Sequence, residues 1–388
     1  VIARRRLLSR LPGGLLAGLA AASPPRAARA EAPLSGAAAL LWEALRQRAR
    51  GRTLRFHLTI QDPGLERFLG WFAATLSGRH GLELEVVPLR DEAEAAARVA
   101  GGEGVDLVAL DMATLSTLRR RNLLLPARSA LPHAPLPLPG MPEADFGTPW
   151  HGGALVLVHD AARVPEPPAS MLALPDWARA RPGRLAHPPP RHALGAAFLL
   201  QALYELVPHP RILASPATER NFTLLTAPFW EWYASLRPLL WRQGQDFPEG
   251  ATALRRLLRE GEIGLMPALD PVALPRLVGA REWPAASRVH ALGRGSMAYA
   301  ALLAIPRNAA QPEAAMLAAD FLLSPEAQAM LADPRLLGRL PPPSPRPRPE
   351  AVLTTPPPPD MPRLPEPHPS WALRLREEWE RRMGLFAQ

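Results

Sequence analysis

Three aspartates stand where a strand pattern gives way to a helix pattern: Asp62 after Thr53–Thr59, Asp111 after Val105–Leu110 and Asp270 after Glu262–Met266. In an open parallel sheet, ligands bind beyond the carboxyl ends of the strands. These acids, with Gln61 beside the first, are therefore candidate binding residues. A carboxylate in that place can cap the helix that follows or pair with a cationic group of a solute, and the two roles are compatible. Trp150, between Pro149 and His151, offers a ring that either stacks on a flat or cationic ligand or closes a hinge. Arg191 and His187 follow a strand pattern near Arg184–His187 and favour an anion instead. The candidate binding set is Gln61, Asp62, Asp111, Trp150, Arg191 and Asp270. With three acids and a tryptophan, it suits a cationic or amine-bearing organic solute.

Catalytic and metal chemistry find little support. His187 and His192 are five apart around three prolines, which is not the spacing of a helical metal pair. There is no cysteine, so disulfides, zinc-thiolate sites and a cysteine nucleophile are excluded. His151-Gly152-Gly153 has the form of an esterase oxyanion loop, but no Gly-x-Ser-x-Gly elbow follows it. Gly295-Ser296-Met297-Ala298 comes nearest and lacks the last glycine. No zinc-peptidase motif, phosphate-loop lysine or dinucleotide fingerprint occurs. No catalytic residue, metal or cofactor is expected. An exported hydrolase working through Ser296, and a periplasmic adaptor without ligand, are the alternatives to a binding protein.

These residues need elements to hold them. Leu40–Arg50 reads as an amphipathic helix, Thr53–Thr59 as a strand, and Leu65–Leu76 as a helix with Phe68, Trp71, Phe72 and Leu76 on one face. A strand over Leu82–Pro88, a helix over Asp91–Ala100 and an apolar strand over Val105–Leu110 complete an alternation that predicts a parallel sheet with crossover helices. Gly152–His159 reads as one strand entering a second lobe. That lobe takes helices around Ser170–Ala178, Leu194–Leu206, Ala227–Leu240, Ala251–Arg259 and Pro271–Val278, with strands near Arg184–His187 and Glu262–Met266. Ser296–Ile305 is long enough to cross back. The fold class is α/β, with two lobes joined by hinge strands and a ligand cleft between them. The divisions expected are 1–30 as a signal peptide, 31–151 plus about 296–323 as lobe 1, and 152–295 plus about 324–340 as lobe 2. Residues 341–388 form a Pro-rich strap and a docking helix, with Trp371, Leu375 and Trp379 four apart.

The composition narrows the setting. All 45 basic residues are arginine, and the net charge is +9. Six arginines and no acid lie in residues 1–30, so the remainder carries +3. Arginines elsewhere are interleaved with acids, so a nucleic-acid partner is not expected. Arg4-Arg5-Arg6-Leu7-Leu8, the apolar run Leu11–Ala22 and Ala28-Arg29-Ala30 have the form of an export signal cleaved after Ala30, of either the Sec or the twin-arginine type. At about 1.5 Å per residue that run is too short to span a bilayer. With no cysteine to carry a lipid, the expected location is the periplasm, as a monomer not embedded in the membrane.

The segment Ala319-Asp320-Phe321-Leu322-Leu323-Ser324-Pro325-Glu326-Ala327-Gln328 closely resembles the late segment of bacterial extracellular solute-binding proteins, the capture subunits of ABC importers. Pro149-Trp150 before Gly152-Gly153-Ala154, Gly195 to Leu199, Trp241 to Pro248, and Glu366-Pro367-His368 before Trp371 are similar to the YnjB-like branch of family 1. The resemblance runs from about residue 53 to the C-terminus. It implies a periplasmic-binding-protein fold, a small-molecule ligand, and ABC permease and ATPase partners. Where that pattern has a Trp-Gly-Gly-Asn loop, this chain reads Thr59-Ile60-Gln61-Asp62, without glycines to cradle a ligand. Ferric-binding relatives use adjacent tyrosines. Only Tyr204, Tyr233 and Tyr299 occur here, so iron held by tyrosines is not expected. Thiamine-like and polyamine-like solutes are the first implied.

Overall fold

The computed structural model describes residues 37–60, 62–102, 104–134, 145–340 and 362–384. The export segment, Gln61 and most of the Pro-rich stretch lie outside the described residues. After α1 (Ala37–Ala49), the chain alternates β1 (Thr53–Thr59), α2 (Pro63–His80), β2 (Glu83–Leu89), α3 (Glu92–Gly101), β3 (Leu107–Leu110) and α4 (Met112–Arg120). β1 pairs in parallel with β2 along its whole length, and with β3 on the other side. Asp62 starts α2 by accepting the Gly64 N–H at 2.7 Å, with Pro63 in the first turn; Gly81, at φ +62°, ends it. Asp91 and Asp111 start α3 and α4 by accepting the N–H groups of Glu94 and Thr114.

β4 (Thr148–Ala154) and β8 (Ser296–Ala304) finish this first sheet, in the order β2-β1-β3-β8-β4, with the short β9 (Arg363–Leu364) beside the start of β8. Alternation along the strands builds a core on each face. Leu107, Ala301 and Leu303 pack with Phe68 and Phe72 of α2. Val108, Leu110 and Leu302 pack with Leu115 and Leu118 of α4.

The apolar run Gly152–His159 is two strands rather than one. β4 ends at Ala154, and β5 (Val156–Asp160) is the middle strand of a second sheet, β6-β5-β7, formed with β6 (Leu265–Ala268) and β7 (Ser287–His290). Leu155, fully buried, is the hand-over, and its N–H donates to Met297 O at 3.0 Å. The outward and return crossings are therefore side by side. Gly153 is needed there, because a Cβ would lie 2.4 Å from Leu269 O.

Around the second sheet pack α5 (Leu174–Ala180), α6 (Ala193–Leu206), α7 (Glu219–Leu236), α8 (Gly250–Glu260) and α9 (Leu274–Gly279). Arg184–His187 does not form a strand: only Leu185 bridges Leu265, and Pro188–Pro190 supply no further donors. α7 starts eight residues before the expected Ala227, because Thr218 and Asn221 form a capping box and Pro228 is carried inside the helix.

α10 (Pro312–Leu323) and α11 (Pro325–Ala332) carry the family-like segment. Ser324 caps α11, and Gln328 donates to Trp150 O and Leu322 O, each at 2.8 Å. The sequence reading put 324–340 with lobe 2. Ala327, Leu331 and Leu337 instead belong to the core of the first sheet, because α11 packs on α2 and β4. The chain then crosses again, and Leu340, in the second core, accepts the Gly152 N–H at 2.7 Å. α12 (Pro369–Arg382) buries Trp371, Leu375 and Trp379 in the second core and also touches α4 of the first lobe.

Candidate functional site

A cavity of about 160 Å³ lies between the two sheets. The first lobe contributes the ends of β1 and β3, Trp150 to Gly152 of β4, and Tyr299 of β8. The second lobe contributes Met266 to Asp270, the start of α6, Arg255 of α8 and Trp283. Arg339 enters from the third crossing. A wider recess of about 730 Å³ shares Asp62 and Arg255 with the cavity and continues between α2 and α8.

Three of the sequence candidates, Asp62, Trp150 and Asp270, line the cavity. None presents a free group of the expected kind. The second carboxylate oxygen of Asp62 accepts from Arg276 of α9 at 2.7 Å, across the two lobes, with both side chains under 10% exposed (6% and 7%). Asp270 is paired with Arg339. Trp150 is 1% exposed and packs edge-on against Phe56 at 6.2 Å, as part of the first core. Asp111 lies outside the cavity, in a separate pocket of about 20 Å³ with Tyr299 and Glu366. Arg191 does not line the cavity either. It pairs with Glu249 and stands 3.8 Å from Asp91, so it ties the lobes together. A set of three open acids around a tryptophan does not form, and the reason for expecting a cationic solute goes with it.

His187 has a structural place. It is fully buried and stacks on Phe198 at 4.6 Å. Its Nδ1 lies 2.9 Å from Pro188 O, which fixes the proton there, so that Nε2 accepts from the Tyr233 hydroxyl at 3.1 Å. Trp379 Nε1 in turn donates to that hydroxyl at 2.8 Å. Burial pushes the His187 pKa down to about 4. Among the described residues, no cluster of His, Asp and Glu is placed to hold a metal ion. Ser296 is fully buried with no partner for its hydroxyl, and the Gly152 and Ala154 N–H groups are taken by Leu340 O and Leu269 O. The esterase-like pattern therefore has neither an accessible nucleophile nor an open oxyanion loop here.

The charged cavity residues that local sequence did not suggest are Asp91, Glu92, Arg255 and Arg339, in a wall that is otherwise largely apolar. Burial works against the charge of Arg339, but Asp270 and Asp62 more than restore it, and its pKa lies above the usual arginine value. Arg255 pairs with Glu282 at 3.1 Å. Glu92, in the first turn of α3, accepts the Asp111 N–H at 3.2 Å. Burial, and then the nearby Asp111, hold its carboxyl well above the usual range. Burial and then Arg339 keep His151 neutral, with its pKa well below the usual value. Every such pairing joins residues far apart in sequence, so no spacing rule finds them.

No family model matches the chain. In fold it is similar to a periplasmic thiamin-binding protein, with TM-score 0.63 and 17% identity over 85% of this chain and 95% of that one. A putative spermidine/putrescine ABC transporter protein from Listeria monocytogenes is comparable, with TM-score 0.63 and 15% identity over 86% and 99%. Two α/β lobes, adjacent crossings and a cavity between the strand ends are the architecture of the periplasmic solute-binding proteins of ABC importers. In sequence, the chain is 31% identical over 364 residues to the protein YnjB of Escherichia coli K12, covering 88% of this chain and 94% of that protein. The chain belongs to the YnjB family. No helix among the described residues is long and apolar enough to cross a membrane.

Proposed function

We propose that this protein is the periplasmic solute-binding component of an ABC importer. It captures a small molecule between its lobes and delivers it to a permease driven by an ATPase. The observation that carries this reading is the interlobe cavity, walled by the strand ends of both sheets and reached by three neighbouring crossings, in a member of the YnjB family. Ion pairs that cross from lobe to lobe, Asp62 with Arg276 and Asp91 with Arg191, hold the lobes together. A ligand shifts such an equilibrium only by binding the closed form better than the open one. Capture and closure are therefore one event, and no bond in the solute is broken.

The reading includes export, with cleavage after Ala30, and a monomer in the periplasm. Deleting the gene should abolish uptake of one class of solute and leave its periplasmic hydrolysis intact. Lost hydrolysis with intact uptake would instead identify an exported enzyme. N-terminal sequencing of the periplasmic protein should begin at Glu31.

A further inference from the structure

Where the two lobes meet the C-terminal segment, carboxyl groups from separate elements share one confined space. Glu92, in the first turn of α3, accepts the Asp111 N–H at 3.2 Å. Asp111, at the start of α4, and Glu366, on the stretch between β9 and α12, line the pocket of about 20 Å³ together with Tyr299 of β8. The second lobe closes that pocket with Ala193, Ala196, Ala197 and Leu200 of α6, none of which carries a charge. Glu92 and Asp111 are buried and Glu366 is partly so, and among the described residues none of the three forms an ion pair. Carboxylates this near one another and away from water oppose each other's ionisation.

We infer that Glu92 and Glu366, gathered around Asp111, form a proton-operated catch: protonated, they let the C-terminal segment lie against the first lobe, and ionised, they drive it away. The inference goes beyond solute binding and does not depend on it. α12 belongs to both lobes, because it buries Trp371, Leu375 and Trp379 in the second core while packing on α4 of the first. β9 lies beside the return crossing, with Arg363 opposite Ser296 and Leu364 opposite Met297. Repulsion at Glu366 therefore acts on the lobes themselves, close to where the chain passes between them.

The surrounding charges leave this repulsion in place. Burial, and then Asp111, hold the Glu92 carboxyl well above its usual range; Asp91 adds to the shift and Arg376 of α12 works against it. Arg339 acts on Tyr299 but is paired with Asp270. Glu380, also on α12, is influenced by Arg376, Arg191, Glu377 and Asp91. Burial, and then Asp111, raise Glu366 to about 8. The attached state thus binds protons that the detached state releases, so it is favoured in acid and loses ground as the pH rises. Glu366 alone should lower the attached-to-detached ratio about tenfold per pH unit between about 4.5 and about 8. In a capture protein, such a catch ties closure to the acidity of the surroundings.

The chain has no cysteine, so Arg120→Cys on α4 and Glu377→Cys on α12, both at exposed positions, place two spin labels and no others. Double electron–electron resonance on the full chain, with no ligand added, should show one distance at about pH 6 and a second, longer one at about pH 9. Glu366→Gln, which cannot ionise, should remove the longer distance, and Glu92→Gln should reduce its share. A merely structural role would weaken folding in these variants without removing the response to pH. The same distances at both pH values, with both glutamates in place, would overturn the inference. So would a response that the two glutamine variants leave intact. Neither result touches the solute-binding reading, which stands or falls on the uptake experiment.

Discussion

In the first lobe, α2, α3 and α4 each begin on an aspartate, and Asp62, Asp91 and Asp111 accept the N–H groups of Gly64, Glu94 and Thr114. In the second lobe, α5, α6, α8 and α9 begin on Ala173, His192, Glu249 and Ala273, and none of these side chains caps its helix. The crossover helices α2, α3 and α4 of the first lobe are thus started by local rules, whereas among the helices packed around the second sheet only α7, with its Thr218 capping box, is. The second lobe, with a sheet of only three strands, relies on contacts made from a distance, among them those of α12.

The strongest test of this contrast is Trp379→Ala. Its ring packs against Phe247 at 4.9 Å and its Nε1 holds the Tyr233 hydroxyl. Truncation should cost about 3–5 kcal/mol. Chemical denaturation followed by near-UV circular dichroism should show the second lobe melting before the first. A single transition with unchanged midpoint would contradict the contrast.

Arg276→Met attacks the tie between the lobes and should cost about 3 kcal/mol, because the buried Asp62 carboxylate loses the cation that hydrogen-bonds it. The double replacement with Asp62→Asn should recover part of that loss, as urea midpoints would show.

His187 gives the second lobe its own pH response. Its folded pKa of about 4 lies below the ordinary histidine value. Between those values the unfolded chain binds a proton that the folded lobe refuses. Stability contributed by the neutral ring is complete above about pH 6.5 and falls as the pH drops towards 4. Melting temperatures should follow that course, and His187→Phe should flatten it. The junction responds at the other end of the scale. Burial, and then Asp111, raise Glu366 to about 8, so its contribution falls as pH rises from about 4.5 to about 8.

The smallest effect is the most direct. Asp91→Ala should cost about 1 kcal/mol in thermal unfolding, the value of one N-cap.

The same contrast explains what could be read from sequence. β1 has the expected limits, α2 and α3 begin within two residues of their expected starts, and the two-lobed α/β class is the one found, since strand, aspartate and helix follow one another directly in the chain. The second lobe was legible in its strongly apolar helix α6, and the return from it to the first sheet in strand β8. It was not legible at Arg184–His187, where only a tertiary bridge forms, nor at Leu155, where an unbroken apolar run hides a change of sheet. For the site, position beyond the strand ends was sufficient to place Asp62 and Asp270 at the cavity. Their partners Arg276 and Arg339 lie 214 and 69 residues away, and no local pattern announces them.

The strand order has a consequence for how the chain assembles. β8 lies between β3 and β4, yet it is synthesised almost two hundred residues after β3 and more than a hundred after β4. Until it arrives, β3 has one bare edge and β4 has no neighbour in its sheet. The sheet of the second lobe, β5 to β7, is made in the interval, although its core is completed only when α12 follows. Such long-range pairing is slow, and open strand edges invite other chains. The newly made protein is therefore most vulnerable to aggregation in the time before residues 296–304 reach their slot, and a holding chaperone would act there.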